Sequence, residues 1–233
     1  MITAQVAPTD PNTEKTIGFD VVIFQLLLSC YATDIDLARQ RMTALVINLR
    51  PTIELTDDEF LNFCQQNPEL RIESTATGAL VVMPPTGGGS GKRNAELTTD
   101  VTLWNRQTEL EVVFDSSTVF KLPNGARRSP DVAWIANDRW NALTPEDQER
   151  FPPIAPNFVI ELRSRTDDLE DLEAKMQEYM ENGVHLGWLI DPITQQIKID
   201  CQEQPVETLQ SPDILSGETV LPEFVLDLSR IFR

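Results

Sequence analysis

The sequence predicts an α/β protein built on a mixed sheet with helices on both faces. Apolar runs of strand length recur at 132–135, 158–162 and 188–190. Helical patterns alternate with them. Leu97, Val101 and Trp104 stand at i, i+4 and i+7, and Leu169, Leu172, Met176 and Tyr179 repeat a helical spacing. The 233 residues are 41% apolar and 24% charged, enough core for one domain, or one domain with an appendage, without covalent staples.

Residues 1–16 are polar and read as a disordered lead. Apolar stretches at 21–28 and 44–49 follow, joined by a polar helical segment, and Met42 is a natural alternative start. Residues 1–49 are therefore expected to be an extension, partly disordered or helical, ahead of a domain at 50–233. Thr56 with Glu59 forms a capping box, and Phe60, Leu61 and Cys64 continue an apolar face as far as Asn67-Pro68. The runs 71–74 and 79–83 flank Ala76-Thr77-Gly78 and read as a hairpin. Residues 84–91, PPTGGGSG, read as a flexible loop before the helix that carries Leu97. Strands are expected at 111–114, 118–122 and 132–135, with Asn124-Gly125 as the turn between the second and third. Residues 140–150 suit a short helix or loop, and 151–156 a rigid proline-rich connector. A strand at 158–162, a helix at 167–182 stopped by Asn182-Gly183, and strands at 188–190, 197–201 and 206–209 complete the pattern, with 225–232 closing the chain.

Charge narrows the function. Thirty-seven acids against 19 bases leave −18, which excludes a general basic nucleic-acid coat. A single histidine, His185, excludes paired-histidine metal sites and leaves oxygen ligands, which favour Mg²⁺, Mn²⁺ or Ca²⁺. Cys30, Cys64 and Cys201 lack metal-site spacing and read as reduced thiols. The longest apolar run, 21–28, is too short to span a bilayer, and the N-terminus lacks signal-peptide features. A cytoplasmic protein with no membrane partner is expected.

Several segments invite a functional reading. GGGSGK after a strand resembles a phosphate loop, but Thr86 stands where that motif needs glycine and Arg93 where it needs Ser or Thr. Nucleotide binding there is rejected. Pro130 sets an extended entry for Asp131, and Glu161 lies inside an apolar strand, where a carboxylate needs a partner. Two carboxylates on adjacent strands can share a hard divalent ion. Alternation puts Arg163 on the face of Glu161, where a cation could steady a phosphoryl transition state. From spacing alone, a structural aspartate at a turn and a Glu–Arg pair within a strand explain these residues slightly better. Lys175 is the only base between Asp167 and Glu181, against seven acids, and sits beside the buried stripe; an i,i+4 pair with Asp171 is its plain account. Glu96 could reach a metal at the sheet edge, although a surface charge is the commoner role. His185 receives no catalytic role.

In order, these pieces resemble the large bacterial Uma-two family, assigned as endonucleases within the PD-(D/E)XK phosphodiesterase superfamily. The resemblance covers about residues 50–232 and rests on RRSPDVAW, FPPIAPNFVIELRS and AKMQEYMENGVHLGWLIDP. It implies a restriction-endonuclease-like fold with an αβββαβ core, plus an N-terminal hairpin and C-terminal strands. It implies Asp131 and Glu161 as metal ligands, with Glu96 as the helix acid that completes the site. The superfamily lysine normally stands two residues after the strand glutamate, where this chain has Arg163. The resemblance displaces that lysine to the next helix, at Lys175. Arginine keeps its proton, so Arg163 can bind charge but hardly act as a base.

The expectation is a Mg²⁺- or Mn²⁺-dependent endonuclease. Asp131, Glu161, Glu96 and the Leu162 carbonyl would hold the metal, Lys175 would orient water or stabilise charge, and Arg163 would support it. Residues 92–175 still carry eleven bases against sixteen acids. DNA binding should therefore be weak or partner-assisted unless Lys92, Arg93, Arg127, Arg128, Arg163 and Arg165 converge. The rivals are a catalytically silent binding module and a homo-oligomer with residues 17–49 as its interface.

Overall fold

The computed structural model describes residues 44–108 and 111–233. The expectations for the lead at 1–16 and the apolar run at 21–28 lie outside the described residues.

The N-terminal part contributes strand β1 (Leu45–Ile47), helix α1 (Asp57–Gln66) and the hairpin β2 (Arg71–Ser74) and β3 (Leu80–Met83). The capping box forms: the Glu59 amide donates to Thr56 Oγ1 at 3.3 Å, and the Thr56 amide donates to Glu59 Oε2 at 2.8 Å. Phe60 on the apolar face of α1 is fully buried against Ile72 and Leu80. The hairpin turns at Gly78, whose φ of +84° suits a residue without Cβ.

Helix α2 runs over Gly88–Thr108, so the expected loop shrinks to residues 84–87. Its first turn is closed by the Gly91 amide donating to the Gly87 carbonyl at 2.9 Å. Each glycine costs about 1 kcal/mol against alanine in a helix interior. Extending an existing helix is far easier than starting one, and here the helix is anchored just downstream. Leu97 and Val101 are fully buried, and Arg93 Nε donates to the Ile231 carbonyl at 2.6 Å.

Strands β4 (Glu111–Asp115), β5 (Phe120–Lys121), β6 (Arg127–Arg128) and β7 (Val132–Ala136) follow. Strands β5 and β6 leave the main sheet and extend the N-terminal one, in the order β1-β3-β2-β6-β5. The Asn124-Gly125 turn thus joins β5 to β6, a strand the sequence pattern did not reveal. Two arginines joined to β2 by the single pair Ser74↔Arg127 carry no apolar alternation to detect. Two short helices, α3 (Asn137–Asn141) and α4 (Pro145–Glu149), occupy the segment expected as helix or loop, and Thr144 caps the second.

Strand β8 (Phe158–Leu162), helix α5 (Leu169–Glu181) and strand β9 (Leu186–Asp191) form a parallel crossover, in register Phe158↔Leu186. Asp168 caps α5, and Gly183 at φ +96° follows its C-cap, Asn182. Strands β10 (Gln196–Cys201), β11 (Glu207–Gln210), β12 (Ile214–Ser216) and β13 (Val225–Asp227) complete the described chain with a final 3₁₀ turn, Leu228–Arg230. The main sheet has the order β11-β10-β9-β8-β7-β4, while β12 and β13 form a separate ribbon. The succession α2, β4, β7, β8, α5, β9 is the expected αβββαβ core, with the β5–β6 excursion inserted.

Both faces of the main sheet are covered. On one, Leu97 and Val101 of α2 and Leu215 and Leu226 of the ribbon pack on Phe158, Ile160 and Trp188. On the other, Met176 and Tyr179 of α5 pack on Val159 and Leu189. Alternation along β8 therefore turns Ile160 to the first face and Glu161 to the second, toward α5. Among the described residues no helix is long and apolar enough to cross a membrane.

Candidate active site

Strands β7 and β8 pair antiparallel in register Val132↔Ile160. One further step sets Asp131, at the mouth of β7, opposite Glu161. Asp131 Oδ2 accepts the Leu162 amide at 2.8 Å, and Oδ1 accepts Asn94 Nδ2 of α2 at 2.6 Å. Burial raises its pKa against the pull of those two bonds and of the Lys175 and Arg71 charges.

Glu161 is buried within an otherwise apolar strand. Its Oε1 accepts the Tyr179 hydroxyl at 2.9 Å and the Lys175 ammonium at 2.8 Å. Burial pushes its pKa up to about 7; Lys175 pulls it down, while Asp131 and Glu73 repel its charge. Lys175 points inward from α5 and is 8% exposed. Its ammonium also donates to Glu73 Oε1 at 2.8 Å and lies 3.5 Å from the Ser129 carbonyl. Burial works against that charge, yet Glu161 and Glu73 together hold it above the ordinary lysine value. Tyr179, buried beside the Glu161 and Glu73 carboxylates, is pushed well above the usual phenol range and so remains a donor.

Glu73 comes from β2 of the other sheet. Its Oε1 also accepts the Ser129 amide at 2.9 Å, and its Oε2 accepts Arg128 at 3.2 Å. Arg128 in turn donates through Nε to Glu178 at 2.5 Å. The cluster thus sets the carboxyl groups of Asp131, Glu161, Glu73 and Glu178 against two cations, Lys175 and Arg128. Such a surplus of buried and half-buried carboxyl groups favours a further cation.

Three of the five residues singled out from sequence meet here: Asp131, Glu161 and Lys175. The other two are placed elsewhere. Glu96 pairs with Arg230 at 3.3 Å, and the α2 residue that reaches Asp131 is Asn94. Arg163 pairs with Asp191 at 2.7 Å at the end of β9. Four of the five arginines whose convergence could have made a basic surface are engaged apart: Arg93 with a backbone carbonyl, Arg127 with Asp57, Arg128 with Glu73 and Glu178, and Arg163 with Asp191. Sequence reasoning missed Glu73, Asn94, Arg128 and Tyr179. Tyr179 had one visible signal, its i+4 spacing from Lys175. Glu73 had none, because its partner lies 102 residues away.

The family Uma2, described as "Putative restriction endonuclease", matches residues 57–229. Among solved structures, one described as "a putative nuclease belonging to DUF820" from Anabaena variabilis ATCC 29413 superposes with a TM-score of 0.65 at 20% identity, over 77% of this chain and 98% of that one. At that identity the likeness establishes the fold. No curated protein matches the chain.

Proposed function

This chain belongs to the Uma2 family, and we propose that it is a Mg²⁺- or Mn²⁺-dependent endonuclease that hydrolyses nucleic-acid phosphodiester bonds. The meeting of Asp131, Glu161 and Lys175 from β7, β8 and α5 carries this reading. The donor set fits a hard divalent ion, since Asp131 and Glu161 stand opposite one another on the paired strands β7 and β8 and offer carboxylate oxygens. Among the described residues no three His, Cys, Asp or Glu side chains form a ready cage. Mg²⁺ needs no such cage, since it keeps several waters and takes one or two carboxylates together with substrate phosphate.

When bound, the ion would polarise the scissile phosphate and lower the pKa of a water. The chain's own groups have separable tasks. Asp131 and Glu161 would hold the ion, and the partners of each carboxylate fix its orientation before metal arrives. Lys175 is protonated, so it supplies positive charge near the phosphate rather than acting as a base. The acidic surface and the engaged arginines support weak or partner-assisted DNA binding. Purified protein with Mn²⁺ should nick plasmid DNA, and Asp131→Ala should not; equal activity in the two would overturn the assignment.

A further inference from the structure

We propose that Arg71, at the start of β2, grips a phosphate of the nucleic-acid backbone beside the metal site and is the substrate contact that the engaged arginines do not supply. The inference rests on the nuclease reading above. Arg71 and Glu73 lie on the same face of β2, about 6.6 Å apart along the strand, and Glu73 holds Lys175. Arg71 Nη2 donates to the Ser116 carbonyl at 2.7 Å. The same carbonyl accepts Ser129 Oγ at 2.7 Å, just ahead of Pro130 and Asp131. Arg71 Nη1 donates to Thr86 Oγ1 at 3.3 Å, in the segment ahead of α2, the helix that sends Asn94 to Asp131. Arg71 is thus fixed by the segments that lead to Asp131, and its charge acts on that carboxylate.

Both bonds go to neutral oxygens. Among the described residues no Asp or Glu forms an ion pair with Arg71. The cations near it differ: Lys175 is held by Glu73 and Glu161, Arg128 by Glu73 and Glu178, and Arg163 by Asp191. Arg71 therefore keeps its charge for a ligand. It is the half-buried first residue of a strand whose other residues are buried, and Thr86 beside it is exposed. A guanidinium held in this way has N–H groups left over, in the fork that matches a phosphate. In a chain of net charge −18, a phosphodiester nearing Asp131 and Glu161 meets like charge. Arg71 offsets that repulsion at a phosphate next to the scissile one. The hairpin that carries Arg71 thereby becomes part of the site rather than an accessory.

The test is fluorescence anisotropy of a labelled DNA duplex titrated with the full-length protein in Ca²⁺, an ion that also takes oxygen ligands, from about 50 to 200 mM KCl. Losing one phosphate contact lowers the slope of log affinity against log salt by about one. Arg71→Gln keeps an amide donor but no charge. It should show that loss of slope and bind about tenfold more weakly at the lowest salt. Arg71→Lys keeps the charge and should keep the slope. If Arg71→Gln fails to fold, Arg71→Lys carries the comparison: a slope lowered by about one despite the retained charge would overturn the proposal. An unchanged slope in Arg71→Gln, even with a lowered melting temperature, would make Arg71 a structural staple and overturn its role alone. A parent that neither binds DNA here nor nicks plasmid with Mn²⁺ would overturn the nuclease reading and this inference with it.

Discussion

Replacing Lys175 with methionine tests the buried cluster most sharply. The substitution keeps a side chain of similar length, so the cavity cost is small. It removes the cation from between Glu73 and Glu161. Glu73 retains Arg128 and the Ser129 amide, whereas Glu161 retains only the Tyr179 hydroxyl among the donors described. Breaking a buried pair costs about 3–5 kcal/mol when the remaining charge has no escape. Glu161 has one, because it can take up a proton. In the parent its pKa stands at about 7, and loss of Lys175 moves it higher. At pH 5 Glu161 is protonated in both proteins, and the loss is about 2 kcal/mol from the Glu73 side. Between pH 7 and 8 the parent ionises Glu161 and loses no further stability, whereas the variant, still protonated there, goes on losing, which adds about 1.4 kcal/mol for that one pH unit. Urea unfolding at the two pH values reads this directly. At ~2–3 kcal/mol per molar urea, the variant midpoint should fall by about 0.7–1 M at pH 5 and about 1.1–1.7 M at pH 8. Equal losses at both pH values, or a larger loss at pH 5, would refute the placement of Lys175 on an ionisable Glu161.

Two further substitutions separate site from surface. Asn94→Ala frees Asp131 Oδ1 and should weaken Mn²⁺ binding by about ten- to a hundredfold in calorimetry, the scale of a lost outer partner. Glu96→Gln, whose carboxylate faces Arg230 at 3.3 Å, should leave Mn²⁺ affinity and stability nearly unchanged, within about 0.5 kcal/mol. A tenfold loss of Mn²⁺ affinity in Glu96→Gln would restore Glu96 to the metal site. Thr56→Ala removes the side-chain half of the α1 capping box, the bond from the Glu59 amide to Thr56 Oγ1, and should cost about 1 kcal/mol in urea unfolding; no change would mean that α1 does not depend on this cap.

Much of the fold was legible because its elements are long and periodic. Leu97, Val101 and Trp104 announced α2, and the apolar run 158–162 announced β8. The short pieces were not legible. Strand β6 is two arginines held by one pair to β2, and the glycine-rich turn of α2 is helical only because Arg93 and the buried leucine and valine beyond it anchor the helix. The site divides along the same line. Asp131 and Glu161 stood out because carboxylates flank or interrupt apolar strands, and the family pattern pointed to Lys175. Glu73 and Asn94 are ordinary polar residues in sequence and gain their meaning only from contacts 102 and 37 positions away. Arg163 shows the converse. Its spacing from Glu161 was suggestive, but β8 ends at Leu162 and Asp191 takes its guanidinium.

The central claim is that Asp131 and Glu161 form the metal site of a nuclease, and plasmid nicking with Mn²⁺ tests it most directly. The parent protein should convert supercoiled DNA to the nicked form with Mn²⁺ and lose that activity in EDTA. Asp131→Ala, which gives up two hydrogen bonds but keeps the apolar strand behind it, should remain folded and nick at least about a hundredfold more slowly, as expected when a metal ligand is removed. Equal rates in the parent and Asp131→Ala, or nicking that persists in EDTA, would contradict the account.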